Sequence, residues 1–90
     1  MIVNDIIDAL NRYKQAQAQY SEASEVSRDI DLDIRIAKRD ANGEAQAKLE
    51  RQKAEHVNKV WYPAYIANKN AVDSLCKALG VSAEELKAAL

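Results

Sequence analysis

Apolar residues recur at every third or fourth position through most of the chain, which is the spacing that places side chains on one face of an α-helix. In the first half this apolar stripe comprises Ile6, Leu10, Tyr13, Ala16, Tyr20, Ala23, Val26, Ile30, Ile34, Ala37 and Ala41. In the second half it comprises Ala45, Ala47, Leu49, Ala54, Val57, Val60, Ala64, Ala71, Val72, Leu75 and Leu79. The pattern predicts two long helices, one over residues 4–41 with Asn4 as its N-cap and one over residues 44–79.

An Asn-Gly pair, Asn42-Gly43, separates the two stripes. Both residue types adopt positive φ at low cost, so the pair is expected to end the first helix and reverse the chain at residues 42–43. The prediction is an all-α fold, a long antiparallel helical hairpin similar to a coiled coil. Because both arms rise equally per residue, residue i lies opposite roughly residue 85 − i, and Tyr20 faces Tyr65.

Three further signals place the remaining boundaries. Pro63 disfavours α conformation at Tyr62, so the second arm is expected to kink or break near residue 63. Gly80 is placed to end that arm. Ser82 and Glu85 have the spacing of a capping box, which predicts a short third helix over residues 83–90.

The open end of the hairpin is expected to hold the main core, with Leu10 facing Leu75. The large apolar residues predicted to meet there are Ile2, Val3, Ile6, Ile7 and Leu10 from the first arm, and Val72, Leu75, Cys76, Leu79, Leu86 and Leu90 from the rest.

The segment from Ile30 to Ile36 allows a second interpretation, because apolar and charged residues alternate strictly along it. This is the period of a half-buried strand, and two copies could pair such strands across a dimer axis as ribbon-type DNA binders do. If the segment is helical, Leu32 and Ile36 lie opposite the main stripe and form an interface with a partner. The segment from Val60 to Ile66 is apolar nearly all round and adds Trp61, Tyr62 and Ile66 to the candidate interface.

Composition supports a small protein that associates with others. The chain has 90 residues, of which 48% are hydrophobic, but sixteen of these are Ala, which buries little area. The net charge of −1 favours no nucleic-acid partner. With one Cys and no apolar run of membrane-spanning length, we expect no intramolecular disulfide, no membrane contact and a cytoplasmic location.

No residue pattern indicates catalysis, a cofactor or a metal, so an enzyme is not expected. His56 is predicted to be a solvated residue of a helix face, and Cys76 a core residue. The carboxylates of Asp29, Asp31 and Asp33 would bind a cation only if their segment were a loop. Four basic residues near the turn could contact nucleic acid, although interleaved acidic residues favour a helix surface with salt bridges: Lys38, Arg39, Lys48 and Arg51.

The C-terminal part resembles a known family in the stretch from Pro63 to Lys69, in Leu75, and in Leu79-Gly80-Val81-Ser82. These residues are similar to the C-terminal part of one group of tailed-phage terminase small subunits. In that group an Asn-Pro or Pro leads into a helix that ends in Leu-Gly-apolar-Ser/Thr. Ala83 and Glu84 stand where Pro and Arg often follow in the group. The resemblance implies a ring-forming helical hairpin that helps a packaging motor to engage phage DNA.

Three functional hypotheses follow. The first is a non-enzymatic module that forms homo-oligomers and serves as a phage assembly or DNA-packaging accessory. The second is a small phage-encoded inhibitor or regulator that docks its Leu32 and Ile36 face on a host protein. The third is a dimeric DNA-binding regulator that uses residues 29–36 as a ribbon.

Overall fold

The computed structural model describes residues 2–89, with the backbone alone for Ile2. Its helices are α1 (Ile2–Arg39), α2 (Gly43–His56), α3 (Tyr62–Leu79) and α4 (Ala83–Ala89), and a π-helical segment, Val57–Trp61, joins α2 to α3. α1 packs along α2, the π-helical segment and α3, while α4 contacts α3. The predicted all-α hairpin with a short third helix is confirmed, although Leu90 lies outside the described residues.

The first helix is continuous through the ambiguous segment, so the strand interpretation of residues 29–36 is wrong. Ile30 and Ile34, one helical turn apart, are both buried. A strand here would have had no ladder partner in its own chain, whereas a helix satisfies its backbone hydrogen bonds internally. The helix also begins before Asn4, which therefore lies within α1 instead of capping it.

A row of mostly small residues on α1 faces the second arm. Its five members are seven residues apart and all buried: Ala9, Ala16, Ala23, Ile30 and Ala37. Tyr13, Tyr20, Ser27 and Ile34 follow four residues after the first four of them and are buried or half-buried. This seven-residue repeat is typical of left-handed coiled coils, and alanines in it let two helices approach closely. We call the row of five the alanine seam.

The second arm changes its register against α1 by one residue. Up to the end of α2, its buried or half-buried positions include Leu49, Lys53 and His56, at steps of four and three. Beyond this point they include Trp61, Ala64, Asn68, Ala71, Leu75 and Ala78, again at steps of three and four. The step from His56 to Trp61 is five residues, and the π-helical segment contains it. Because an i→i+5 turn holds one extra residue, it returns the apolar face of α3 to α1.

The second arm stays helical through Pro63, which comes directly after the π-helical segment that separates α2 from α3. Tyr62 keeps helical angles, with φ −64° and ψ −45°, and its N–H bonds to the carbonyl of Val57 in the π-helical pattern. Pro63 is therefore placed at the start of α3, directly after the wider turn. A wider turn accommodates the missing N–H and the proline ring, which a regular α-helix does not.

The chain reverses at the expected place, but the residue that adopts positive φ is neither Asn42 nor Gly43. Ala41 has the positive φ, 55°, and the N–H of Asn42 bonds to the Ala37 carbonyl at 2.9 Å in a Schellman-type ending. Asn42 is instead the N-cap of α2, since its side-chain oxygen accepts from the Ala45 N–H at 3.1 Å. Gly43 is simply the first residue of α2.

The open end of the hairpin holds a smaller core than predicted. Leu75, 2% exposed, is buried with Ala9, Cys76 and Leu86, and Tyr13 packs against this group. The expected pairing of Leu10 with Leu75 is wrong, because the alanine seam faces the second arm and turns the neighbouring large residues outward. Val3, Ile7, Leu10 and Leu79 remain substantially exposed. The Ile2 side chain and Leu90, also predicted for this core, lie outside the described residues.

The resulting molecule is thin, with extents of 59 × 24 × 14 Å. Its smallest dimension is close to the diameter of one helix with its side chains. Within residues 2–89, no helix combines the length and the apolar character that a bilayer span requires. A hairpin one helix thick leaves both broad faces uncovered.

Candidate interaction surfaces

Leu32 and Ile36 form an apolar pair on the side of α1 that points away from the second arm. Leu32 is 55% exposed and Ile36 39% exposed, while Ile34 between them is buried. At about 100° per residue, both lie within roughly 20° of the direction opposite Ile34. We call this side of α1 the outer face. The sequence predicts an interface on this face. Within a single chain, no other described part of the hairpin covers it.

Charges of opposite sign border this pair on its two sides. Helical geometry places Arg28, Arg35 and Arg39 along one border, which we call the basic flank. It places Asp29 and Asp33 along the other border, and Asp40 follows directly after the end of α1; we call these three residues the acidic flank. All six residues are exposed. The outer face is thus an apolar centre between two separated lines of charge.

An aromatic cluster lies where the π-helical segment meets α1. Trp61 and Tyr65 stack with ring centroids 5.5 Å apart and an interplanar angle of 3°. Tyr20 packs against both rings at 5.9 Å, which agrees with the predicted opposition of Tyr20 and Tyr65. The Trp61 indole N–H donates to the Ser24 hydroxyl at 3.2 Å. Such contacts fix the register between the two arms.

The candidate interface residues of the second arm are not equivalent. Trp61 and Ile66 are half-buried within the chain, whereas Tyr62 is 55% exposed. Val60 and Tyr65 are also exposed, so the apolar segment around Pro63 is open on one side in a single chain. Beside it lies an open groove of about 570 Å³, lined among others by Tyr20, Arg28 and Trp61.

His56 is not the solvated residue that the sequence predicted. It is half-buried, and its Nε2 lies 3.0 Å from the carbonyl oxygen of Ala23. The tautomer that carries a proton on Nε2 donates across the alanine seam to this carbonyl. A single sequence contains no signal for this bond, because the acceptor is a backbone atom 33 residues away. His56 thus ties α2 to α1.

The basic residues near the turn occupy exposed positions on two helices. Lys38 and Arg39 end α1, and Lys48 and Arg51 lie on α2. Arg39 contacts Asp40 at 3.5 Å, so part of its charge is locally balanced. The remaining three form no ion pair within the described part of the chain.

The residues considered for chemistry are dispersed. Asp31 pairs with Lys53 across the two arms, which the helical state of its segment makes possible. Cys76 is buried in the core, as predicted. Across residues 2–89, no three His, Cys, Asp or Glu side chains are grouped as metal ligands.

Comparisons of the chain with protein-family models, with curated proteins and with solved structures find no match. We therefore infer function from the surfaces described above. Of these, the outer face combines two exposed apolar residues, Leu32 and Ile36, with charges of opposite sign on its two borders.

Proposed function

We propose that this protein is a non-enzymatic interaction module that assembles first with copies of itself through the outer face of α1. The observation that supports this proposal is the exposure of Leu32 and Ile36 on a helix whose other side is already occupied by α2. Exposed apolar residues clustered on a charged helix are typical of protein–protein contacts. An interaction role also agrees with the thinness of the hairpin, since four of the nine buried apolar residues in its described part are alanines, which bury little area.

The surfaces favour a protein partner over a nucleic acid. The outer face is electrically balanced, with three Arg and three Asp residues around its apolar pair. A surface that binds a phosphate backbone carries an excess of positive charge. The narrower role implied by the terminase resemblance, in which the assembled protein helps a motor to engage phage DNA, is a further proposal. It requires an assembled ring.

The test is the oligomeric mass of the wild-type chain measured by light scattering and sedimentation over a wide range of protein concentrations. Mass should increase with concentration, and the double change Leu32→Lys, Ile36→Glu should keep it at that of one chain. This variant should retain helical circular dichroism, because both side chains are largely outside the intramolecular core.

The matched control is Val3→Lys, Ile7→Glu. It places the same two charges at the same spacing, on two other exposed apolar residues of α1. This control should associate as the wild type does. Equal loss of association in both variants would assign assembly to general surface apolarity, and a wild-type chain that stays monomeric at every concentration would overturn the proposal. A monomer that instead binds a host protein through Leu32 and Ile36 would support the inhibitor hypothesis.

A further inference from the structure

The Asn42-Gly43 step, where the turn meets α2, has a chemical reactivity in addition to its capping role. Asn42 is the only asparagine of the chain that a glycine follows. We infer that this step is a site of spontaneous covalent modification, in which the Asn42 side chain closes onto the backbone nitrogen of Gly43 and is converted to aspartate and isoaspartate. The inference is independent of the proposed self-assembly, because it concerns the turn of a single chain.

The reaction needs only these two residues, a base such as hydroxide, and water. The base removes the amide proton of Gly43, and the nitrogen attacks the side-chain carbonyl carbon, Cγ, of Asn42. A nitrogen–carbon bond forms and closes a succinimide ring, while the bond from Cγ to the side-chain nitrogen breaks. That nitrogen takes a proton back from the base and leaves as ammonia. Water then opens the ring at either carbonyl, which gives aspartate or isoaspartate.

The attacking nitrogen is free and unshielded. Gly43 is the first residue of α2, and none of the backbone hydrogen bonds that close the turn uses its N–H. The first N–H groups of a helix have no intrahelical acceptor, so no such bond opposes the loss of the proton. Apart from its chain neighbours and its own helix backbone, no atom in the described part of the chain lies within 4 Å of the position that a Cβ on Gly43 would occupy.

The attacked group is already polarised. Asn42 Oδ1 accepts a hydrogen bond from the Ala45 N–H at 3.1 Å. Negative charge develops on this oxygen when the Gly43 nitrogen adds to Cγ, and a donor held in place there stabilises it. Asn42 is exposed, so hydroxide and water reach the site. The contact that caps α2 therefore also assists the ring closure.

Ring closure requires the Asn42 backbone to rotate, and the start of α2 permits this. Asn42 has φ −96° and ψ 83°, outside the helical region. None of the residues of α2 is buried, so few contacts hold its first turn against brief opening. Asn58 and Asn70 are also exposed, but each lies inside a helical segment and is followed by a residue with a side chain.

The two products affect the turn in opposite ways. An aspartate side chain is as good an N-cap as asparagine, and its charge is favourable at the start of a helix. In isoaspartate the main chain passes through Cβ and Cγ, which adds one carbon atom to the backbone before Gly43. The Asn42 carbonyl that accepts from the Gln46 N–H at 3.0 Å then becomes part of a free carboxylate. The isoaspartate product should therefore loosen the start of α2.

The first experiment follows the asparagines of the folded wild-type chain in mildly alkaline buffer by peptide mapping and mass spectrometry. Asn42 should be lost at least about tenfold faster than Asn58 or Asn70, because helical hydrogen bonding and the following side chain both oppose cyclisation there. Methylation by an isoaspartate-specific methyltransferase distinguishes the two products, which have equal mass. Loss of Asn42 no faster than loss of Asn70 would overturn the inference.

Two substitutions separate the effect of the turn from that of the dipeptide. Gly43→Ala adds a Cβ in open space, so it should keep the hairpin and slow the loss of Asn42 by at least about fivefold. Ala71→Gly is the matched control, because it places a glycine after Asn70 within α3. Asn70 in this variant should still be lost more slowly than Asn42, since the following N–H is bonded within the helix. Equal rates would overturn the role of the free N–H and of the Ala45 contact.

A third measurement tests the effect on the fold. Asn42→Asp should melt at or above the temperature of the wild type, and the isoaspartate form, separated by reversed-phase chromatography and refolded, should melt below it. An isoaspartate form that melts with the wild type would overturn the effect assigned to α2. Gly43→Ala should leave the concentration dependence of the mass unchanged. Failure of the modification test therefore leaves the proposed self-assembly standing, and a monomeric wild type leaves this inference standing.

Discussion

Replacing Ala23 by leucine tests whether the alanine seam is the contact that holds the hairpin together. Ala23 is 3% exposed, the least exposed residue of the seam, and its carbonyl accepts the hydrogen bond from His56. A leucine adds three carbon atoms where the two helices meet, so the arms must separate. Separation also stretches the His56 bond and the bond between Trp61 and Ser24, which lie in the same region.

The expected loss of stability is about 1–3 kcal/mol, the usual cost of adding methylenes to a packed core. For a domain of this size the melting temperature should fall by roughly 5–20 °C. Thermal unfolding followed by circular dichroism measures this change. Ala18→Leu is the control, because Ala18 is exposed on the same helix and both residue types favour helix. If both variants melt at the same temperature, the two arms are not closely packed at Ala23.

Two cap predictions follow from the helix ends. Ser82→Ala should lower stability by about 1 kcal/mol, because the Ser82 hydroxyl accepts from the Glu85 N–H at 3.1 Å, whereas Ser74→Ala on an exposed part of α3 should not. An unchanged unfolding curve for the Ser82 variant would show that α4 does not contribute to the folded state. Gly80→Ala should destabilise by about 1 kcal/mol, because Gly80 has φ 71°, and Ala41→Gly should stabilise by a similar amount, because Ala41 has φ 55° without being glycine. Denaturant unfolding measures the change in the free energy of unfolding for both variants. Changes of the same sign would contradict the left-handed conformation of Gly80 and Ala41.

The hairpin and its boundaries could be predicted because each depends on local signals. The helical spacing of the apolar residues predicted the two arms, and the capping box at Ser82 predicted where α4 begins. Leu32 and Ile36 could be placed on the outer face by counting residues from Ile34. The strand alternative for the same segment required a partner chain, and packing against α2 favours the helix.

The α1 residues that face the second arm were predicted less well, because large apolar residues were given more weight than small ones. Leu10 was expected to face Leu75, yet the buried positions are those of Ala9, Ala16 and Ala23. Their exact seven-residue spacing was present in the sequence and could have identified them. The bond from His56 to the Ala23 carbonyl could not have been found, since it depends on the distance between two packed helices.

The position of the left-handed residue at the turn could not be predicted, for a different reason. Gly43 was the better candidate by residue type, but Asn42 caps α2 and so fixes where that helix begins. The last residues of α1 then close the turn by placing Ala41 at positive φ. The cap therefore decided the geometry over the glycine preference, and Ala41 carries a modest strain.

The last prediction concerns the π-helical segment, which we interpret as a single-residue insertion. Removing one residue from it should leave a regular α-helix, with the same side chains facing α1 on both sides. Asn58 is exposed and suits this deletion. Pro63 must become alanine at the same time, because a proline within a regular helix costs about 3 kcal/mol.

Deletion of Asn58 in a Pro63→Ala background should therefore give a protein about as stable as Pro63→Ala alone, with Trp61 still against Tyr20. Deletion of Lys69, an exposed residue within α3, is the control in the same background. It should turn every later side chain by about 100° and remove Leu75 and Cys76 from the core. Thermal melts and tryptophan fluorescence distinguish the two deletions. If removing Asn58 is as damaging as removing Lys69, the π-helical segment does not correct the register, and the five-residue step from His56 to Trp61 needs another explanation.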